Sequence, residues 1–180
     1  PRNPSVHYQY GRALSLRAKP ETIVAAWEEA LLLNPPAELA VVLQTQIARA
    51  RRSQSDFAGA ARAFRVSLKI NRALARPRPD AAFEFVLFLN AEGQTDEARN
   101  LLAEIMRWDP LFLPAHIERA RDFAAREQWA AAAESAGFVL NNAGDKMELL
   151  RPAHAMLARA YAALNRPEKA KVHQAWIEAH

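Results

Sequence analysis

The chain has 180 residues, 51% of them hydrophobic, with 24 Lys or Arg set against 20 Asp or Glu for a formal net charge of +4 and a pI near 9.8. That cationic excess is modest and mixed with acid, which makes it a weak argument for nucleic acid. The absence of cysteine excludes disulfides, thiolate nucleophiles and cysteine-based zinc sites.

Ala and Arg are heavily used and Gly is scarce, a balance that suits helices better than sheets. In chain order, helix follows helix with no convincing alternating strand. YQYGRAL (8–14) carries the first, RAKP (17–20) breaks it, and PETIVAAWEEALLLNP (20–35) carries the second. Past NPP (34–36) a third helix runs to RRSQSD (51–56), and SDFAGAARAFRVSLKIN (55–71) is the fourth. RPRPD (76–80) separates it from a fifth around AFEFVLFL (82–89), which AEGQTD (91–96) ends. Within that run FEFVLFL (83–89) is the longest apolar stretch, too short to cross a bilayer and interrupted by Glu84. At the sixth helix Gly93 can take the left-handed conformation that stops its predecessor, and Thr95 or Asp96 can cap the new one. Glu97 is favourably placed near the positive helix end, while Pro110 cannot continue the helix and pushes Asp109 out of the α region. WDPLFLP (108–114), REQW (126–129), NNAGDK (141–146) and LNRP (164–167) bound the last four helices. The spacing predicts about ten helices in five antiparallel pairs, with no linker long or polar enough to divide two domains.

The text repeats. TDEARNLLAEIMRWDP (95–110) has relatives at 20–35, 55–71, 126–142 and 165–180, at intervals of roughly 34 to 38 residues. In the best copy Phe85, Leu89, Gly93, Ala98, Leu102, Ile105 and Pro110 all fall in pattern slots. In the first, Gly11 and Leu14 precede Trp27, Ala30 and Pro35. In the last, Leu157, Ala158 and Tyr161 precede Ala170. Arg72 and Gly144 stand where a closing proline belongs, and Arg51 takes a slot normally aromatic or Leu. The chain resembles the tetratricopeptide repeat, a helix-turn-helix unit of about 34 residues. The resemblance covers 1–180 as one domain with approximate repeats 4–37, 38–75, 79–112, 113–146 and 150–180. It implies an all-α, right-handed superhelical solenoid of antiparallel helix pairs, in which each pair is stabilised by its neighbours. Small residues such as Ala98 let two helices lie close, while Leu102, Phe64 and Trp27 fill the space beneath the next unit. Trp27, Phe64, Phe85 and Tyr161 sit at core spacing, and Trp108 and Trp129 at turns, where packing is favoured over contact with a ligand. Because the chain opens on Pro1 rather than Met, a piece of a larger protein is expected. Val172, Trp176 and Ile177 line one face of the last helix, a stripe that either docks elsewhere or packs on the helix before it.

By the geometry the resemblance implies, the first helix of each pair faces a concave inner wall. The same wall slot holds Arg12, Arg49, Leu87, Arg121 and Arg159, a cation at four of five positions. Arg offers a planar fork suited to carboxylates and phosphates, although such arginines can also be solvated or paired internally. Tyr8, Thr45, Arg52, Phe83, Asn90 and Ile117 are further wall candidates. Asn90, flanked by Arg49 and Arg121, is similar to the carboxylate-holding residues of peptide-binding members, without a full clamp motif. His7, His116 and His154 share an early slot that ordinarily receives a packing side chain. No HExxH, P-loop, GxGxxG or GxSxG pattern occurs.

The resulting expectation is a non-catalytic interaction scaffold, without metal or cofactor, that holds a partner protein or peptide bearing acidic groups. The candidate partner-binding residues are Arg12, Arg49, Arg52, Phe83, Asn90, Ile117, Arg121 and Arg159. The Ala- and Arg-rich texture suits a bacterial protein of a secretion or envelope assembly. The alternatives are an anionic polymer ligand (RNA or acidic polysaccharide) and a regulatory arm for an enzyme encoded outside this stretch. Against the polymer, no stacking aromatics recur beside the Arg slots.

Overall fold

A computed structural model describes residues 3–14 and 20–180 of the chain. Those residues contain ten α-helices and no strand: α1 (Pro4–Leu14), α2 (Pro20–Leu32), α3 (Ala37–Ser53), α4 (Phe57–Arg72), α5 (Pro79–Ala91), α6 (Thr95–Trp108), α7 (Leu113–Ala125), α8 (Trp129–Asn142), α9 (Met147–Ala163) and α10 (Pro167–Ala179). The second helices begin at Pro20, Phe57, Thr95, Trp129 and Pro167, so the repeat runs from 34 to 38 residues. The break at 17–20 lies, except for Pro20, outside the described residues. No helix is long and apolar enough to cross a membrane among the residues described.

Local chemistry sets the helix ends. Asp56 caps α4, its Oδ1 accepting from the Gly59 N–H at 2.8 Å. Pro79 and Pro167 open α5 and α10, where a missing N–H costs nothing because first-turn donors have no intrahelical partner. Gly93 and Gly144 take positive φ, +73° and +58°, and so end α5 and α8 as a bulkier residue could do only under strain. In place of the expected caps, Gln94 precedes α6 and its carbonyl accepts from the Ala98 N–H at 3.0 Å. Thr95 and Asp96 are therefore already helical, and Asp96 and Glu97 contribute charge near the positive end. The helix α9 starts at Met147, ahead of the expected repeat boundary at 150, which leaves Pro152 inside it.

The chain packs as two compact units, Pro1–Ala98 and Arg99–His180. In the first, α1 lies on α2, α2 on α3, α3 on α4 and α4 on α5, with α3 also reaching α5. Gly11 is required where α1 crosses α2, since a Cβ there would stand 2.3 Å from Trp27 Nε1. The indole is buried, and that nitrogen points at the Tyr8 carbonyl, 3.4 Å away. Further along, Phe64 stacks on Phe85 with centroids 5.2 Å apart and meets Phe88 at 5.3 Å. Beside them Thr45 and Ser67, both buried, place their hydroxyls 2.9 Å apart and within reach of the Val41 carbonyl.

In the second unit α7 lies on α8, α8 on α9 and α9 on α10, and α7 also touches α9. Its core joins Ala120, Ala124, Ala132 and Ala136 to Met156 and Leu157, with Trp129 and Tyr161 packed against them. A second cluster joins Leu113 and Ile117 to Val139, Ala143 and Ala153. Ala60, Ala98, Ala132 and Ala170 are all buried, the burial expected of the small slot that lets two helices approach closely. The apolar stripe of α10 divides. Val172 is 66% exposed, whereas Trp176 stacks on His154 of α9 at 3.8 Å and 6°.

Candidate interaction surface on the first helices

The arginines of the repeated slot differ in what surrounds them. Arg12 is exposed on α1, its guanidinium 5.9 Å from the centre of the Tyr8 ring. Arg49 points from α3 toward α5, with Nε 3.9 Å from Glu84 Oε2. Arg121 is exposed on α7 and pairs with Glu118 one turn earlier on the same helix. Arg159 is exposed on α9, and Arg52 in the last turn of α3. Phe83 is half-buried and Asn90 exposed, both on α5. Ile117 is not surface: only 6% of it is exposed, and it packs with Val139 of α8 and Ala153 of α9. Thr45 is likewise buried, its hydroxyl held by Val41 and Ser67.

Within the first unit, Arg49 and Thr45 are the candidates that line a cleft of about 130 Å³ between α3 and α5. Val42 and Ala81 supply its apolar part, and Arg49, Arg78, Asp80 and Glu84 its charges. Two features of the sequence, read only as a break and an interruption, place three of these charges. The RPRPD run brings in Arg78 and Asp80, and the interrupting glutamate of FEFVLFL is Glu84. Asn71 fixes Arg78 from beneath: its Nδ2 donates to the Arg78 carbonyl at 2.8 Å, and its Oδ1 accepts from the Arg78 N–H at 2.7 Å. The Arg78 guanidinium then donates to Asp80 through Nη2 at 2.7 Å and Nε at 3.3 Å. Burial works to raise the Asp80 pKa, but the hydrogen bond and charge of Arg78, with backbone donors, outweigh it and hold the carboxyl below its usual 3.8. The same hydrogen bond raises Arg78 against its own desolvation. Both groups are therefore charged at neutral pH. The cleft presents two cations and two carboxylates around a small apolar floor, an arrangement suited to a partner carrying both signs of charge.

Three of the histidines, His116, His154 and His173, are packing residues. His116 is buried and stacks on Phe138 at 4.2 Å, with Nε2 2.8 Å from the Pro110 carbonyl and Arg119 Nη2 3.4 Å from Nδ1. This geometry fits a neutral ring that donates through Nε2 and accepts through Nδ1. His154 and His173 bring their Nδ1 atoms to 3.0 Å, and the His154 ring lies against Trp176, which stacks in turn on His180. Among the described residues no group of three or more His, Asp or Glu is placed to hold a metal. All three rings have pKa values below the ordinary 6.5. Desolvation is the leading cause in each, opposed at His116 by the Pro110 carbonyl and reinforced at His154 by His173 and His180. A lowered folded pKa means that the unfolded chain binds more protons, so stability rises with pH through this range. The contribution is complete above 6.5 and is lost as pH falls through the lower folded values. Thermal unfolding is expected at a lower midpoint at pH 5.5 than at pH 7.5. Substituting His173→Phe should shrink that difference, and an equal drop in the variant would show that this ring is not involved.

No protein-family model matches the sequence, and no curated protein matches it. Solved structures do. The chain is similar to YrrB, described as a tetratricopeptide-repeat protein with an unusual peptide-binding site, at 15% identity and TM-score 0.66 over 96% of this chain and 83% of that one. It is similar to MamA (41-end) from Desulfovibrio magneticus RS-1 at 15% identity and TM-score 0.72, covering 98% and 93% of the two chains. The TPR-like repeats of a putative kinesin light chain from Podosopora anserina match at 19% identity and TM-score 0.70, covering 97% and 93%. Likeness at these identities establishes the fold. This chain has the tetratricopeptide-repeat fold.

Proposed function

We propose that the chain is a non-catalytic interaction scaffold that holds a segment of a partner protein against the first helices of its repeats. The observation that carries this reading is the charged cleft between α3 and α5, built from Arg49, Arg78, Asp80 and Glu84 around Val42 and Ala81. Its charges sit on α3 and α5 and on Arg78, which Asn71 holds just ahead of α5, so little ordering cost falls on this side of a complex. The likeness to YrrB supports a peptide as the bound element, since that protein is described by its peptide-binding site. Internal pairing of Arg49 with Glu84 and of Arg121 with Glu118 favours a protein over a polyanion. A phosphate backbone would have to compete with carboxylates already in place, whereas a peptide of mixed charge can exchange partners with both. A bacterial envelope or secretion setting remains part of this proposal on composition alone.

The test is charge reversal. A partner recovered by pull-down and purified should bind Arg49→Glu/Arg121→Glu at least tenfold more weakly than the parent. That is the loss expected when one or two charge-assisted hydrogen bonds, about 1.5–3 kcal/mol each, are replaced by repulsion. The variant should keep the circular dichroism of a folded helical chain: the half-exposed Arg49–Glu84 pair contributes about 0–1 kcal/mol to folding, and although Glu118 is buried, position 121 is exposed, so the carboxylate placed there stays solvated. Equal affinity in the folded double variant would remove the first-helix wall from the binding mechanism. A steep log-linear loss of affinity with salt, together with capture of RNA, would favour the polymer reading instead.

A further inference from the structure

Of the five glycines, four have a local reason. Gly11 lies under Trp27, Gly59 lies against the capping carboxylate of Asp56, and Gly93 and Gly144 have positive φ. Gly137 has none of these. It sits inside α8, where glycine is destabilising relative to alanine, and a Cβ added there would meet nothing within 4 Å. What Gly137 does is keep a surface low. With Ala130 and Ala133, at one-face helical spacing, it lines a trough of about 560 Å³ that extends to Tyr161 of α9 and to Arg166, which precedes α10.

Arg119 also lines this trough, and it lines a second cleft of about 290 Å³ between α6 and α7, so the two meet at its side chain. The second cleft is walled by Leu102, Met106 and Phe123. Around it stand Arg99, Arg119 and Arg126 against a single acid, Asp122. Arg99 grips that carboxylate through Nε, 3.2 Å from each oxygen, and through Nη2 at 3.1 Å, and Arg126 binds it as well. Across the two clefts the lining carries four arginines, Arg99, Arg119, Arg126 and Arg166, against two acids, Asp122 and Glu134, an excess of positive charge. Arg119 is held in place by Ser135, whose Oγ accepts from its Nε at 3.1 Å. Residues 119 and 121 are two apart on α7, about 200° around a helix of 3.6 residues per turn, so these clefts lie away from the Arg121 side.

We propose that the α6–α7 cleft and the α8 trough form one docking groove for an extended, acidic segment of a protein partner. A large apolar side chain seats among Leu102, Met106 and Phe123, and flanking carboxylates meet Arg99, Arg126, Arg119 and Arg166. The proposal rests on the scaffold reading above and adds to it a second surface with a defined ligand chemistry.

The probe is a fluorescein-labelled, amide-capped hexapeptide, Glu-Glu-Leu-Phe-Glu-Glu, titrated into the intact 180-residue chain. The chain has three methionines, Met106 in the cleft, Met147 exposed at the start of α9 and Met156 buried, so methyl-labelled methionine reports the position of binding directly. The Met106 resonance is expected to shift while that of Met147 stays fixed. Gly137→Trp fills the trough where the backbone leaves open space, and Ala103→Glu sets a carboxylate at an exposed position of the cleft. Each should weaken binding at least tenfold with an unchanged or higher thermal midpoint for Gly137→Trp. Arg49→Glu/Arg121→Glu should bind the peptide as the parent does, and a peptide with Lys in place of Glu should not bind. An unmoved Met106, full affinity in either groove variant, or no binding of the acidic peptide overturns the groove. Loss of the peptide in Arg49→Glu/Arg121→Glu alone also overturns it, but leaves the first-helix scaffold standing.

Discussion

Replacing Phe64 by alanine is expected to cost about 4 kcal/mol of stability in the first unit, among the largest effects of any single substitution there. Burying and then deleting a phenylalanine side chain typically costs about 3–5 kcal/mol, through lost transfer energy and the cavity left behind. Phe64 has 0% of its surface exposed, and its ring supports two others, Phe85 stacked at 12° and Phe88 tilted at 43°. Aromatic pairs of this kind add about 0.5–1.5 kcal/mol beyond their buried area. Removing the Phe64 ring also takes away the aromatic contacts of α4 with Phe85 and Phe88 of α5. Urea unfolding followed by far-ultraviolet circular dichroism would measure the loss. The control is Val172→Ala, which at 66% exposure should stay within about 0.5 kcal/mol of the parent. A Phe64→Ala cost below 1 kcal/mol would mean that the three rings do not form the core described.

The second large effect is expected at Asn71, where stability and binding are coupled. Asn71→Leu keeps the volume but leaves the Arg78 N–H and carbonyl without their partner. An unsatisfied buried polar group costs about 1–3 kcal/mol, and two are created here, offset by whatever water reaches the half-buried Arg78. A net loss of roughly 3 kcal/mol follows. The consequence for function is specific: Asn71 is what holds Arg78 against Asp80 at the rim of the α3–α5 cleft, so partner affinity should fall together with stability. Amide exchange at Arg78 separates the two outcomes. Strong protection in the parent and fast exchange in the variant, at a denaturant-free pH where the rest of α4 stays protected, is the expected pattern. Unchanged protection of that amide would show that the loop is held by something else.

Much of this protein is written locally. Gly93, Gly144, Pro79 and Pro167 end or begin helices through their own backbone chemistry, and the apolar positions of each helix recur with its 3.6-residue period. Helix number, the breaks between helices and the repeat length are therefore legible without coordinates. Which of the repeated slots reach the surface was legible only in part. Arg49 and Arg121 do reach the surface, but Ile117 occupies the same kind of slot and is buried, because Val139 of α8 and Ala153 of α9 close over it. An asparagine inside a helix reads as a surface residue. The role of Asn71 emerges only when the 73–78 turn brings Arg78 back beside it. Val172 and Trp176 share one stripe in sequence yet part company in the fold, since only Trp176 has a ring on α9 to stack against.

The sequence alone determined that the chain is a series of helical hairpins of tetratricopeptide type, because turn residues and periodicity act over a few residues and need no distant partner. Tertiary structure alone decided which charges are spent and which surfaces stay open. Arg49 finds Glu84, Arg99 finds Asp122, and Gly137 faces empty space according to which helices stack on which. Such pairings depend on contacts between residues tens of positions apart, and nothing local in the chain encodes their distance.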